Sequence, residues 1–126
     1  MEGYWLTHYD AGKTHGDGVA MLHAGELLGG DPEHLWSGTY EEEDHRLHLR
    51  VRIVPRVSRI EHENIAREKP MLISLEGCCT ENFARLEGHP DGREDLSFQV
   101  MLRKCRASHA VDHLTKEAQA RQQASR

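Results

Sequence analysis

The stretch HRLHLRVRIV, residues 45–54, has the clearest structural pattern in the chain. Aliphatic residues occupy every second position from Leu47 to Ile53, and the positions between them hold histidine or arginine. Because successive side chains of a β-strand point to opposite faces, this alternation predicts a strand with one buried and one solvated face. Pro55 follows directly and predicts the end of the strand, since proline cannot donate to a β-ladder.

Seven further segments have the alternation or the composition of short strands, and glycine-containing turns separate many of them. They are residues 3–9, 18–23, 26–29, 34–40, 71–75 (closed by Gly77), 82–87 and 96–103. Short connections favour antiparallel neighbours, so eight such strands predict an all-β fold, either a closed up-and-down barrel or a sandwich. A closed barrel has no exposed sheet edge to protect.

Two segments depart from this pattern. Residues 56–69 are highly charged and predict a long connection, with a helical turn possible over residues 63–68. Beyond residue 105, alanine, valine and leucine recur at helical spacing, and Ser108 could cap a helix. The same composition is compatible with a frayed tail. We therefore expect a β-barrel domain over residues 1–104 and a basic helix or flexible tail over residues 105–126.

Length and charge limit the classes of protein to consider. The chain of 126 residues is long enough for one domain. It has no apolar run of about 18 residues and no signal-peptide pattern at its start, and its three cysteines are too few for a disulfide framework. A cytoplasmic protein is the simplest expectation. The net charge of −5 argues against direct nucleic-acid binding.

The sequence contains no recognisable catalytic or metal-binding motif. Its ten histidines are scattered, and His45 and His48 would point to opposite faces of one strand. HExxH, paired CxxC, GxSxG and phosphate-loop patterns are all missing from the sequence. We therefore expect neither an enzyme nor a metal or cofactor site.

The charge is distributed unevenly along the chain. From residue 103 onward six basic residues face two acidic ones, a balance of +4, so the first 102 residues carry −9. The most acidic stretch is Glu41, Glu42, Glu43 and Asp44, which we expect at an exposed turn between two strands. It could be a solvated hairpin tip that discourages aggregation, a docking point for basic groups of a partner, or, less well matched in spacing, a calcium site.

Several local motifs resemble those of one known family. They are Gly3-Tyr4, Gly16-x-Gly18-Val19, Gly25-x-x-x-Gly29-Gly30-Asp31, Trp36-x-Gly38-x-Tyr40, the acidic residues and Leu75-x-Gly77. On these motifs the chain resembles the GrlR-like family, the negative regulators of type III secretion gene expression, over roughly residues 2–104. In this sequence the acidic motif is three glutamates followed by aspartate, whereas the family alternates the two residue types.

The resemblance implies a fold and a function. It implies an eight-stranded, lipocalin-like β-barrel with a hydrophobic interior and a tendency to form homodimers. It also implies a cytoplasmic negative regulator that binds and sequesters a transcriptional activator, and a basic helix-turn-helix protein would suit such a role. Glu41, Glu42, Glu43 and Asp44 would then be the partner-binding residues, with no contact to DNA or membrane.

The alternative function is that of a small hydrophobic-ligand carrier, because an eight-stranded barrel can either hold one small ligand or fill with side chains. The candidate inward-facing residues are Leu47, Leu49, Val51, Ile73, Phe98 and Val100. These six residues would line a cavity in the first case and form a packed core in the second.

Overall fold

The computed structural model describes residues 1–56 and 70–124, and within them the chain forms eight strands followed by one helix. The elements are β1 (Gly3–Ala11), β2 (Thr14–His23), β3 (Glu26–Gly30), β4 (His34–Glu43), β5 (Arg46–Pro55), β6 (Met71–Cys79), β7 (Phe83–Pro90), β8 (Phe98–Cys105) and α1 (Ala107–Ala124). Each strand pairs antiparallel with the next, and β1 also pairs with β8. The predicted lipocalin-like up-and-down barrel is confirmed.

The hairpin between β4 and β5 differs from the expectation. Glu41, Glu42 and Glu43 belong to β4 itself, and the turn consists of Asp44 and His45, with φ angles of 49° and 64°. Two successive left-handed residues are the signature of a type I′ turn, which matches the twist of the flanking strands. The prediction of a four-residue acidic turn was therefore wrong, because the turn needs only two residues and the strands extend to meet it.

Several other strand limits also differ from the prediction, most of all at the end of β6 and the start of β2. β6 continues past Gly77 to Cys79, since backbone pairing with β7 includes Gly77 and needs no side chain there. β2 begins at Thr14, well before the predicted start at residue 18, because this glycine-containing stretch pairs with β1 up to the turn. The predicted helical turn over residues 63–68 lies outside the described residues.

The barrel has two unlike ends. The turns β2–β3, β4–β5 and β6–β7 lie at one end, which we call the packed end, and the connections β1–β2, β3–β4 and β7–β8 lie at the other, the cavity end. Trp5, Leu22 and Leu47 fill the packed end, each no more than 1% exposed. Met1 packs against this cluster, and the indole Nε1 of Trp5 donates a hydrogen bond of 2.9 Å to the Met1 carbonyl.

The C-terminal segment forms a helix. Of the two structures that the sequence left open, a helix and a frayed tail, the helix is therefore the one observed. α1 begins at Ala107, one residue before the predicted cap Ser108, and contacts β1 and β2. Ala110 is buried in that contact, whereas Val111 and Leu114 are exposed. In the part of the chain that the structure describes, no helix has both the length and the hydrophobicity that crossing a membrane requires.

Two glutamates face each other on the outside of the barrel, and this pair generates a prediction. Glu76 of β6 lies directly opposite Glu87 of β7, and both side chains are exposed. Like charges in direct cross-strand pairs repel each other, so Glu87→Lys should raise the free energy of unfolding by about 0.2–1 kcal/mol. Urea denaturation would measure the change, which should shrink at high salt.

Glu81→Lys provides the matched control for this variant. Glu81 is exposed and lies in the β6–β7 turn, so its replacement changes the net charge equally without relieving the cross-strand pair. Equal stabilisation by Glu81→Lys would show that overall charge, and not the pair, determines the effect.

Candidate functional site

The interior of the barrel is not completely filled. A cavity of about 480 Å³ extends from the middle of the barrel to the cavity end. Its wall is mainly apolar, and residues near the connections, such as Ala11, Pro55 and Leu96, contribute to it at the cavity end. Cavities that bind small ligands in proteins typically measure about 300–1,000 Å³, so this volume is sufficient for a small ligand.

The size of the inward-facing side chains explains why the void lies at one end. At the packed end the inward positions of β1, β2 and β5 carry Trp5, Leu22 and Leu47. Further along β1 and β2 the same faces carry the small residues Thr7 and Ala20, and both line the cavity. Because the same eight strands enclose both halves of the barrel, the smaller side chains leave space unfilled.

The candidate interior residues divide between the two ends. Leu49, Val51, Ile73, Phe98 and Val100 line the cavity. Leu47 is buried in the core cluster at the packed end and is not part of the cavity wall. Side chains therefore pack one half of the barrel, and a cavity occupies the other.

A polar cluster interrupts the apolar wall at the cavity end, and it consists of Tyr9, Asp31 and His34. The Tyr9 hydroxyl donates a hydrogen bond of 3.0 Å to Asp31 Oδ2, and His34 Nδ1 lies 3.1 Å from Asp31 Oδ1. All three residues line the cavity, and Asp31 is only 2% exposed. Buried polar groups normally have hydrogen-bond partners, and here the three side chains partner one another.

Backbone geometry holds Asp31 in place. Its Oδ1 accepts hydrogen bonds of 2.7 Å from the backbone N–H groups of both Glu33 and His34, which is the pattern of an Asx turn between β3 and β4. The Nε of Arg56 donates a further bond of 2.6 Å to the Asp31 carbonyl oxygen. Asp31 thus both forms the turn and places a carboxylate in the cavity wall.

Two glycines of β2 make room for the aromatic rings beside the cluster. A Cβ added at Gly16 would lie 2.5 Å from the Tyr9 hydroxyl oxygen, and one added at Gly18 would collide with the Trp36 ring and the Gly30 carbonyl. Tyr9 and Trp36 consequently meet edge to face, with ring centroids 6.1 Å apart. The Gly16-x-Gly18 motif therefore positions one wall of the site.

The surroundings of Tyr9 keep its hydroxyl protonated. Burial raises the pKa of Tyr9 far above its ordinary value, and the neighbouring charge of Asp31 and the hydrogen bond to it raise the pKa further. An ionised Tyr9 would place a second negative charge beside a buried carboxylate. The hydroxyl is accordingly a permanent hydrogen-bond donor to Asp31 over the physiological pH range.

The four acidic residues do not form one continuous patch. Glu42 points toward the packed end, where its Oε1 accepts a bond of 2.7 Å from the N-terminal amine of Met1. Glu41 and Glu43 face outward, opposite His48 and Arg46 of β5, respectively, and Asp44 lies in the type I′ turn. Three of the four carboxylates are thus directed to solvent, at the end of the barrel remote from the cavity.

No group of three or more His, Cys, Asp or Glu side chains within residues 1–56 and 70–116 is arranged to hold a metal ion. Sequence reasoning did not select Tyr9, Asp31 and His34 as site residues. The available signal was Gly29-Gly30-Asp31, an aspartate at a turn directly after two glycines.

The fold and the site define a closed antiparallel β-barrel with an internal, largely apolar cavity. No protein-family model matches the chain, and no curated protein matches it either. The resemblance to the GrlR-like family therefore rests on the motifs quoted above.

The raised pKa of Tyr9 predicts a pH effect on stability. In the unfolded chain a tyrosine ionises at about pH 10, whereas in the barrel Tyr9 keeps its proton to higher pH. The stabilising contribution is therefore complete below about pH 10 and declines as the pH rises toward the folded-state pKa. In Tyr9→Phe the free energy of unfolding should fall less steeply over this range, as urea titrations at stepwise increasing pH would measure.

Tyr4→Phe is the control, because Tyr4 lies on the same strand with its side chain exposed. If Tyr9→Phe and Tyr4→Phe show the same decline as the unmodified protein, the pKa of Tyr9 is not raised by folding.

Proposed function

We propose that the protein binds one small hydrophobic or amphiphilic molecule inside its barrel. The observation that carries the proposal is the cavity of about 480 Å³ with its apolar wall. A native interior is normally packed with few voids larger than a water molecule, and unfilled volume costs stability. A ligand that fills this space would bury its apolar surface against the cavity wall, and this burial would stabilise the complex.

The arrangement of the wall also supports binding of a ligand in one orientation. Apolar side chains from several strands surround the middle of the cavity, while the polar cluster of Tyr9, Asp31 and His34 lies toward the cavity end. Ligand sites commonly combine an apolar wall with a few fixed polar groups that orient the ligand. A molecule with an apolar body and a polar head fits this pattern.

Filling the cavity should abolish binding. Ala20 lines the cavity wall and is 1% exposed, so the ring in Ala20→Phe would occupy ligand space without having to displace a well-packed neighbour on the cavity side. The neutral dye Nile red should bind the unmodified barrel with a blue-shifted emission, and Ala20→Phe should weaken its binding at least about tenfold. Native mass spectrometry of the protein from its own cells would reveal a co-purified molecule.

The control for this variant adds an equal aromatic surface outside the barrel. Ser37 is exposed on the outer face of β4, next to the cavity-lining Trp36, so Ser37→Phe should leave dye binding unchanged. Equal dye binding by the unmodified protein and by Ala20→Phe would place the dye on the outer surface and contradict the proposal.

A second candidate function is the sequestration of a transcriptional activator through the acidic residues of β4. The observation in its favour is that Glu41, Glu43 and Asp44 are exposed together at a hairpin tip. Such a tip would suit the positively charged DNA-binding face of a helix-turn-helix protein, and complementary charge would speed the association. A cytoplasmic, homodimeric regulator of the GrlR-like type is part of the same candidate.

The test of this candidate is a double charge reversal, Glu41→Lys with Glu43→Lys. Asp44 is retained because its left-handed backbone disfavours lysine. The probe is a basic helix-turn-helix DNA-binding domain from an activator of the same organism. Its binding should weaken with increasing salt, compete with its operator DNA, and be lost in the double variant, as measured by fluorescence anisotropy.

The matched control is Glu33→Lys with Glu94→Lys, which makes the same change of net charge at two exposed carboxylates near the cavity end. Binding that survives the reversal of Glu41 and Glu43, or that is lost equally in both double variants, would contradict recognition by the acidic hairpin.

A further inference from the structure

The polar cluster in the cavity wall has a definite hydrogen-bonding character. Tyr9 uses its only hydroxyl proton on Asp31 Oδ2. His34 Nδ1 lies 3.1 Å from Asp31 Oδ1, and since a carboxylate oxygen accepts hydrogen bonds, this nitrogen carries the proton. In the neutral ring the other nitrogen, Nε2, then has a lone pair and accepts. Tyr9 and the neutral ring of His34 thus use their donors on Asp31 and retain only acceptor capacity.

Asp31 and Thr7 add to this acceptor character. Oδ1 of Asp31 receives the two backbone N–H groups of the Asx turn together with His34, whereas the principal donor to Oδ2 is the Tyr9 hydroxyl. Oδ2 therefore keeps a lone pair for a further donor. The buried Thr7 hydroxyl is directed at the Trp5 carbonyl, 3.5 Å away, which leaves its own lone pairs available.

Arg56 bonds the backbone carbonyl of Asp31 and is not part of the cavity wall. Thr14 lines the cavity at its end but is exposed, and its hydroxyl can donate or accept. Glu33 is exposed beside Asp31 and adds a further negative charge to the same side.

We propose that the cavity selects an amphiphile whose head group donates hydrogen bonds, with an alkylammonium ion preferred over an alkanol and an alkanoate disfavoured. The inference rests on the proposed function, since it concerns the head group of the ligand that the barrel would hold. An ammonium head can donate to Asp31 Oδ2, Tyr9 and His34 Nε2, and it neutralises a carboxylate in a largely apolar wall. A carboxylate head would meet lone pairs and a like charge.

Three probes of equal chain length separate the head-group preference from hydrophobic binding. They are decylammonium, decanol and decanoate, titrated calorimetrically at neutral pH below their micellar concentrations. Because a hydrogen bond to a charged group contributes about 1.5–3 kcal/mol, decylammonium should bind roughly ten- to a hundredfold more tightly than decanoate. Decanol should have an intermediate affinity.

Asp31→Asn is the variant that tests the role of the carboxylate. Asparagine keeps one side-chain oxygen for the two backbone N–H groups of the turn and removes the charge. The preference for decylammonium over decanoate should fall by about tenfold or more. Glu33→Gln is the matched control, since it removes one negative charge from the same turn without altering the cluster, and it should keep the preference.

The outcomes distinguish the two proposals. If none of the three probes binds the unmodified protein, the proposed ligand-binding function fails. If they bind with equal affinity, or decanoate binds most tightly, the function stands and the head-group inference is overturned. Equal loss of preference in Asp31→Asn and Glu33→Gln also overturns it, because general surface charge would then explain the selectivity.

A second variant decides the matter if circular dichroism shows that Asp31→Asn does not fold. Tyr9→Phe leaves the Asx turn and the Asp31 charge intact and removes one acceptor from the wall. It also frees Asp31 Oδ2 from the Tyr9 hydroxyl, so the preference for decylammonium over decanoate should be retained or should increase. Loss of this preference in Tyr9→Phe would exclude the Asp31 carboxylate as the group that selects the head group.

Discussion

The pairing of β1 with β8 is the constraint on which the rest of the structure depends. It converts a meander of eight strands into a closed barrel, and closure assigns alternate residues of every strand to a single interior. Tyr9 is brought opposite Val100 of β8 by this pairing, while its side chain reaches Asp31 at the end of β3. An open sheet would leave these residues on a surface, without an enclosed volume between them.

Closure also means that the size of the inward-facing side chains decides how completely each end of the barrel is filled. Trp5 and Leu22 fill the packed end, whereas Thr7 and Ala20, one inward position further along the same strands, leave the cavity. An enclosed void carries a free-energy cost that grows with its volume. The cost is tolerated because the packed end, together with Met1 and the ladder of backbone hydrogen bonds around the barrel, supplies the stability of the fold.

Much of the fold was predictable because strand alternation is a local property. The alternation of residues 45–54 alone identifies β5, and the other strands follow from shorter patterns of the same kind. The cavity was not predictable in this way, since its volume depends on which side chains meet across the barrel. The cluster of Tyr9, Asp31 and His34 joins three elements, so no window of sequence contains it, although Gly29-Gly30-Asp31 marked the turn.

The two candidate functions occupy opposite ends of one rigid element. β4 carries Trp36 beside the cavity and Glu41 and Glu43 at the packed end, so this strand connects the two sites. A ligand alters the affinity for a partner only if it binds two states of the protein with different affinity. Tyr40, whose hydroxyl bonds Glu2 at 3.2 Å, lies between the sites on β4 and faces the interior. Tyr40 therefore packs against the core in the part of β4 that joins the cavity to the acidic hairpin.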